Sequence, residues 1–389
     1  MYSRCRLNLV QNALNIFKTN YSSEANIKLE SKFLLHNLDK GPSEEVTLKK
    51  EDALKIFKNM DSIRKFENSS AQMYREKVIR GFCHLYAGQE AVAAGLTAAM
   101  RPQDICITAY RCHGIAYVMG ATVEEVLCEL TGRASGIARG KGGSMHMYTD
   151  KMFGGNGIVG SHVPVGTGLG FARKYTGKDG VSITMYGDGA ANQGQCFEAF
   201  NMAKIFQIPV VYICENNLFG LGTFCARAAA NTKYYTRCEY IPGICIDGMD
   251  VLAVREGIKF AIDYAQSGNG PIIAECVTYR YFGHSMSDPG TSYRKREDIE
   301  ETREKRDCLK KYKNYLTSCN LFTPEELKAI ETENKKKTEK ASQFARTDKI
   351  PPLEELNTDI YVKALEPVRN VSHFKPLAHI NSNKFPLTP

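Results

Sequence analysis

Two side chains in this sequence are placed to do oxygen chemistry, Asp188 and Asn217, 29 positions apart. Asp188 lies between Gly187 and Gly189, directly after an apolar, β-forming run at 181–186. Asn217 closes Glu215-Asn216-Asn217 after a second apolar run at 208–214. Between the runs, Phe197, Phe200, Ala203 and Ile205 recur near helical spacing over 195–206. A crossover helix makes two strands parallel and is right-handed almost without exception, so both strands end on one edge of the sheet. Open α/β sheets bind ligands at that edge. A carboxylate, a carboxamide oxygen and loop carbonyls are hard ligands, suited to Mg²⁺ holding a phosphorylated cofactor, and the glycines let backbone approach phosphate closely. GDG alone reads equally as an acidic turn. The paired asparagines at the matching end of the next strand favour cofactor binding.

Histidines supply the other candidate chemistry. His84 stands between Cys83 and Leu85, where a satisfied core histidine is the plain alternative to a catalytic one. His284 sits in a loop of Gly, Ser, Asp and Pro at 279–294, which reads as exposed and mobile. An imidazole near its ordinary pKa can give or take a proton at neutral pH, as both would need to do. His113 and His146 read as packing or phosphate-shell residues. Glycine is densest at 131–170, where its entropic cost calls for close approach or unusual φ/ψ. Gly166, Gly168 and Gly170 lack the dinucleotide-loop spacing and read as the start of a tightly packed helix at 165–175.

The remaining elements must position these groups. Residues 1–25 carry bases and hydroxyls with no acid before Glu24, and Leu7, Val10, Leu14 and Phe17 make a basic amphipathic helix, the composition of a mitochondrial transit peptide. Residues 26–46 read as an extended arm. Thr47 reads as the cap of a helix with Ala53, Leu54, Phe57 and Met60 on one side. An Ala/Gly-rich helix follows at 90–100, a strand at 105–108, a helix at 251–266, a strand at 271–277 and charged helix over 297–345. Residues 346–389 form a tail with few helix signals.

Bulk properties exclude several classes. No run approaches the ~20 apolar residues of a membrane span. The net charge of +8 is spread among acids without an aromatic-interleaved basic stripe, which argues against nucleic acid. Thirteen scattered cysteines, an odd number without paired CxxC, fit reduced and mostly buried thiols.

In order along the chain, GFCHLYAGQEA, ITAYRCHG, GKGGSMHM, GGNGIVG, GDGAANQGQ, DGMD and YRYFGHSMSDPG complete a pattern over about residues 45–365. With GDG followed by NN, it resembles the alpha subunits of the mitochondrial pyruvate dehydrogenase decarboxylase component. The resemblance implies a thiamine-diphosphate-binding α/β fold at 47–345, with a central, mainly parallel sheet flanked by helices, helical extensions at both ends and a regulatory loop at 279–296. It implies that Asp188, Asn217 and the Phe219 carbonyl ligate Mg²⁺. Gly189 and Ala190 would meet the diphosphate by backbone, Tyr110, Arg111 and His284 by side chain, and Gly157 and Val159 the aminopyrimidine by backbone. His84 and His284 would serve proton transfer.

The family's cofactor-activating glutamate lies on the beta subunit, so the resemblance implies an α₂β₂ assembly with the cofactor between chains. An acetyl group from pyruvate would pass to the lipoyl domain of the dihydrolipoamide acetyltransferase in the mitochondrial matrix. Ser285 and Ser292 match phosphorylation positions, implying a regulatory kinase and phosphatase. Three positions depart from the pattern. Phe219 replaces a common Tyr, Phe282 replaces a His, and Phe224 stands where a third serine is often found. A branched-chain 2-oxo acid dehydrogenase alpha subunit and a non-catalytic regulatory paralogue are the rival readings.

Overall fold

The computed structural model describes residues 23–359. The transit-peptide reading of residues 1–25 falls almost wholly outside them, as does the tail beyond 359. The arm is built of β1 (Glu24–Lys28), β2 (Leu34–His36) and β3 (Glu45–Lys49), with β1 and β3 paired antiparallel. Thr47 therefore caps no helix. Val46 and Leu48 are buried while Glu45, Thr47 and Lys49 face out, a period of two that belongs to a strand. The first helix, α1 (Lys50–Arg75), begins three residues later without a side-chain cap and buries Ala53, Phe57 and Met60 as expected.

The remaining elements follow in alternation. They are α2 (Glu90–Ala99), β4 (Ile105–Ala109), α3 (His113–Val118), α4 (Val123–Leu130), β5 (Met152–Asn156), α5 (His162–Tyr175), β6 (Ser182–Gly187), α6 (Gly194–Ile205), β7 (Val210–Asn216), α7 (Cys225–Ala228), β8 (Gly243–Asp247), α8 (Val251–Tyr264) and β9 (Ile272–Val277). Three C-terminal helices close the described chain, α9 (Arg296–Arg306), α10 (Cys308–Ser318) and α11 (Pro324–Thr347). The single charged stretch expected at 297–345 is thus broken twice. Asp307 caps α10, and Thr323 with Glu326 forms a capping box on α11 behind Pro324.

Seven strands form the main sheet in the order β2-β8-β9-β7-β6-β4-β5. All neighbours are parallel except β2, which pairs antiparallel to β8 at the edge. The α/β fold expected from the sequence, a mainly parallel sheet flanked by helices, is present. Every residue of β7 is buried, as a strand covered by helices on both faces requires. Strand order reverses between β4 and β6, the switch point where loops diverge and leave a crevice.

Glycine brings α5 onto this sheet. A Cβ on Gly166 would overlap Thr184 Oγ1, and one on Gly170 would stand 2.7 Å from Val210 Cγ2, while one on Gly168 would meet nothing within 4 Å. Beside it, α6 buries Cys196, Ala199, Phe200 and Ala203 but leaves Phe197 and Ile205 exposed, against the one-sided stripe expected. Phe200 packs on Tyr186 and Tyr212 of the sheet, and Cys196, Ala199 and Ala203 are buried in the same cluster. Phe197, Met202, Ile205 and Phe206 form a second apolar face, continued by Phe171 and Tyr175 of α5.

The loop at 279–294 is another correction. Tyr279, Arg280, Tyr281, Ser285 and Arg294 are buried, while Ser287, Thr291 and Ser292 are exposed. Arg294 holds the loop from within, donating to the carbonyls of Arg280 at 2.7 Å and Phe282 at 2.6 Å. Beyond α11, a 3₁₀ turn at Leu353–Asn357 is tied back by Glu355, which pairs with Arg139 and Lys141. All twelve cysteines among the described residues are free, and ten of them are buried.

Candidate active site

The carboxyl ends of β4, β6, β7 and β9 deliver Arg111, Asp188, Asn217 and Arg280 to one crevice. Gly187 ends β6 opposite Glu215 of β7, one residue short of β7's end at Asn216, so Asp188 and Asn217 leave adjacent strands. Their loops touch, since a Cβ on Gly189 would stand 3.9 Å from Gly220 Cα. Leu218 takes φ +70°, a left-handed conformation uncommon outside Gly, Asn and Asp. Its amide donates to Asn216 Oδ1 at 3.0 Å, and Asn216 Nδ2 donates to Glu275 Oε1 at 2.7 Å. This turn aims Asn217 Oδ1 and the Phe219 carbonyl at a common point. Nη1 of Arg280 donates to both, at 2.9 and 3.0 Å.

Two oxygens that converge on one cationic atom, with the buried Asp188 carboxylate on the adjacent strand, are a donor set a hard cation fits. No group of three His, Cys, Asp or Glu capable of holding a metal occurs among the described residues. The expected set, with one carboxylate, one carboxamide and one carbonyl, does not need one. Burial raises the Asp188 carboxyl above the ordinary carboxylate range, opposed chiefly by Arg280.

Positive charge dominates the other wall. Burial lowers Arg280 to about 10, and repulsion from Arg111 and Arg294 adds to it. Arg111 is lowered by burial as well. Nε of Arg280 and of Arg294 are buried donors without a partner. Buried guanidinium groups that repel one another and keep unused donors fit an anion such as a diphosphate.

Arg111 also does something the sequence did not suggest. Nη1 donates to the Leu85 carbonyl and Nη2 to the His284 carbonyl, each at 2.8 Å. It thereby clamps the two segments that carry the candidate histidines. Those segments also pair directly, through Tyr281 N to the Ala87 carbonyl at 3.1 Å and Met286 N to the Cys83 carbonyl at 2.9 Å. The ring of His84 consequently lies 5.5 Å from that of His284 and 4.6 Å from that of Tyr110, centroid to centroid.

Neither histidine stays near its ordinary pKa. Burial, then the Arg111 charge, pushes His84 down to about 2 and His284 down to about 3. Both are neutral at pH 7, and Nδ1 of each is buried without a partner. An anion bound beside Arg111 would offset that charge and raise the proton affinity of both rings, while burial continues to lower it.

Gly157 and Val159 leave the carboxyl end of β5 on the open side of the crevice, flanking Ile158, which is 72 % exposed. A Cβ on Gly160 would stand 2.9 Å from Gln193, so this loop abuts the one bearing Gly189 and Ala190. Ser285 is 7 % exposed and bonds Ser287 through its hydroxyl at 2.7 Å, whereas Ser292 is exposed and outside the cluster. His146 meets the Gly142 carbonyl at 3.3 Å, and His113 is wholly buried.

Sequence reasoning missed Arg280, Asn216, Leu218 and Glu215. Glu215 is pushed up to about 7 by burial and held by Tyr86 Oη at 2.5 Å and Gln89 Nε2 at 3.0 Å. One signal was available: an arginine and a glutamate each adjoin a predicted strand end that already carried candidates.

A strand-edge crevice with a hard-cation donor set and an anion-fitting wall defines a class, and comparison with known proteins gives the family. The model of the dehydrogenase E1 component family matches residues 58–354, and the chain belongs to that family, which is thiamine-diphosphate-dependent. Among relatives, the chain is 56 % identical over 327 residues to the probable pyruvate dehydrogenase E1 component subunit alpha, mitochondrial, of Caenorhabditis elegans, covering 84 % of this chain and 82 % of that one. It is 53 % identical over 342 residues to the somatic-form mitochondrial pyruvate dehydrogenase E1 alpha subunit of Homo sapiens, covering 88 % and 87 %. The type II mitochondrial alpha subunit of Ascaris suum is 52 % identical over 340 residues, covering 87 % of each chain.

Proposed function

We propose that this chain is the alpha subunit of a pyruvate dehydrogenase E1 component of the mitochondrial matrix, acting with a beta subunit as α₂β₂. The observation that carries the reading is the convergence of Asp188, Asn217 and the Phe219 carbonyl opposite the Arg111–Arg280–Arg294 cluster, with neutral His84 and His284 beside them. Thiamine diphosphate, when bound here, would supply the nucleophilic and electron-accepting chemistry for decarboxylating a 2-oxo acid. Asp188, Asn217 and the Phe219 carbonyl would hold Mg²⁺ beside its diphosphate. The backbone of Gly189 and Ala190, with Tyr110, Arg111 and His284, would orient the diphosphate, and the backbone of Gly157 and Val159 would meet the aminopyrimidine.

His84 and His284 hold protons on the wall facing the substrate. A neutral imidazole donates a hydrogen bond to developing negative oxygen, and the charge of bound anions raises its proton affinity for transfer. Arg111, by clamping both segments, keeps the two rings at fixed spacing.

The open Gly157–Val159 side and the apolar face of α5 and α6 support a shared site. Contiguous apolar surface of that kind marks a protein interface. The beta subunit would cover it and contribute the cofactor-activating glutamate, and the acetyl product would pass to the lipoyl domain of the dihydrolipoamide acetyltransferase. The transit segment read at 1–25 would end ahead of β1, which opens at Glu24, with the arm to 46, the cofactor-binding domain at 47–345 and the tail at 346–389 following it. A kinase and a phosphatase would act on Ser285 and Ser292. Phosphate on Ser285 would place close to two negative charges beside Asp288 and break the Met286–Cys83 pairing that seats the loop.

The test is pyruvate-dependent acetylation of a lipoyl domain by residues 23–389 co-expressed with the beta subunit, with Mg²⁺ and thiamine diphosphate. That start keeps β1 whole. Activity that needs the beta chain and Asp188, and that falls in the Ser285 phosphoform, supports the reading. Activity on branched-chain 2-oxo acids instead of pyruvate, or none despite bound cofactor, overturns it.

A further inference from the structure

Beneath His84 lies a chain of buried polar groups that the proposed chemistry does not use. The Glu67 carboxylate of α1 meets His113 Nδ1 at 3.0 and 3.2 Å through its two oxygens. His113 Nε2 meets both Ser144 Oγ at 2.8 Å and the Ser144 carbonyl at 3.1 Å, and Ser144 Oγ accepts the backbone N–H of His84 at 3.0 Å. Glu67 and His113 are wholly buried and Ser144 nearly so. Glu67 also accepts the backbone N–H of Tyr86 at 2.8 Å, so the chain grips the His84 segment at two amides.

Carboxylate, imidazole and hydroxyl in series is the arrangement that activates a serine nucleophile. Here the hydroxyl is buried and already accepts the His84 amide, so it has no access to substrate. The proton order follows from the partners. A carboxylate only accepts, so Nδ1 carries a proton toward Glu67, and Ser144 Oγ accepts from His84 N whichever way its bond to Nε2 runs. Glu67 thus anchors the imidazole through which Ser144 reaches the His84 backbone.

The His84 ring has need of such support. Its Nδ1 has no hydrogen-bond partner, and Phe82, Tyr110 and His284 meet it through ring contacts alone. Its aim is therefore set by its main chain. We propose that Glu67, His113 and Ser144 are positioning residues that hold His84 at the substrate wall, joining α1, the start of α3 and the glycine-rich 140–143 loop to one catalytic side chain. The inference rests on the proposed role of His84.

The experiment uses the co-expressed alpha–beta assembly and compares Ser144→Ala, Glu67→Gln, His84→Ala and each of the first two combined with His84→Ala. Measured are kcat, the KM for pyruvate, the Kd for thiamine diphosphate and the thermal midpoint. Ser144→Ala is expected to lower kcat about 10- to 30-fold, within the range a misplaced proton-transfer group can cost, with KM and cofactor Kd within threefold. In the His84→Ala background neither substitution should lower kcat further, because the residue they act through is gone. Losses that multiply in the double variants, or a kcat unchanged by both substitutions, overturn the inference. A fall in Ser144→Ala confined to cofactor Kd or thermal midpoint also overturns it, since that is a merely structural role. If Ser144→Ala does not fold, Glu67→Gln carries the same test, as its amide oxygen can still accept from Tyr86 while the charge is lost. Full kcat in His84→Ala alone defeats the catalytic reading of His84, and with it this inference, whereas multiplying losses defeat the inference alone.

Discussion

Replacing Arg111 by Met should undo the site more than any other single exchange of similar size. Arg111 donates two hydrogen bonds at 2.8 Å, to Leu85 and to His284. Bonds from a charged donor contribute about 1.5–3 kcal/mol each, so their gross loss is about 3–6 kcal/mol, and two carbonyls are left without their donor. Relief of a buried guanidinium, itself lowered by burial, offsets part of this and leaves about 1–3 kcal/mol net. Because methionine also cannot reach the diphosphate with a charge, the affinity for thiamine diphosphate should fall about 10- to 100-fold. Calorimetric titration of the alpha–beta assembly at saturating Mg²⁺ measures this. Amide exchange should quicken at Tyr281 and Met286, whose bonds to Ala87 and Cys83 depend on the clamp. Arg111→Lys should fall between, because an ammonium cannot fork to both carbonyls. Cofactor affinity within threefold of the parent, with loop exchange unchanged, would refute the clamp.

Glycines 166 and 168 should respond with opposite sign. Gly166→Ala places a methyl against Thr184 Oγ1 and 2.9 Å from Ile107 Cγ2 and should destabilise by about 2–3 kcal/mol. Gly168→Ala, in open space within the same helix, should stabilise the isolated chain by about 0.5–1 kcal/mol in denaturant unfolding. Acid should weaken the fold through His162, which is wholly buried, has both ring nitrogens unpartnered and is lowered by burial to about 4. The folded state keeps this ring neutral, so its contribution is intact above the unfolded pKa of about 6.5 and is lost as pH falls toward 4. Glu215, raised to about 7, works in the opposite direction over the same window, so the informative quantity is a difference. Between pH 6.5 and 5 the parent should lose about 1.5 kcal/mol more stability than His162→Gln, measured by urea midpoints. Equal losses would contradict the burial argument.

Much of this protein was written locally. Apolar runs ending in Gly187-Asp188-Gly189 and in Glu215-Asn216-Asn217 determine two parallel strands and the edge at which they finish, because a crossover helix allows no other arrangement. The α5 glycines announced close packing for the same reason, since only their missing Cβ admits the sheet. Where the sequence misled, a long-range partner had decided the matter. Thr47 looks like a cap until β1 pairs with β3, and the 279–294 loop looks exposed until Arg294 fills it and the 83–87 segment zips to it. The near-neutral histidines fail in the same way, because desolvation and the charge of Arg111 come from residues distant in sequence.

Sequence alone determined which residue types reach the ligand edge, because strand ends and turns are properties of a few consecutive residues. Tertiary structure alone decided what those residues face: Arg280 against Asn217 and Phe219, Arg111 across the two histidine segments, and Glu67, His113 and Ser144 beneath His84. Hydrogen-bond direction and proton affinity depend on burial and on charges brought within a few ångströms, and only the folded chain sets those distances.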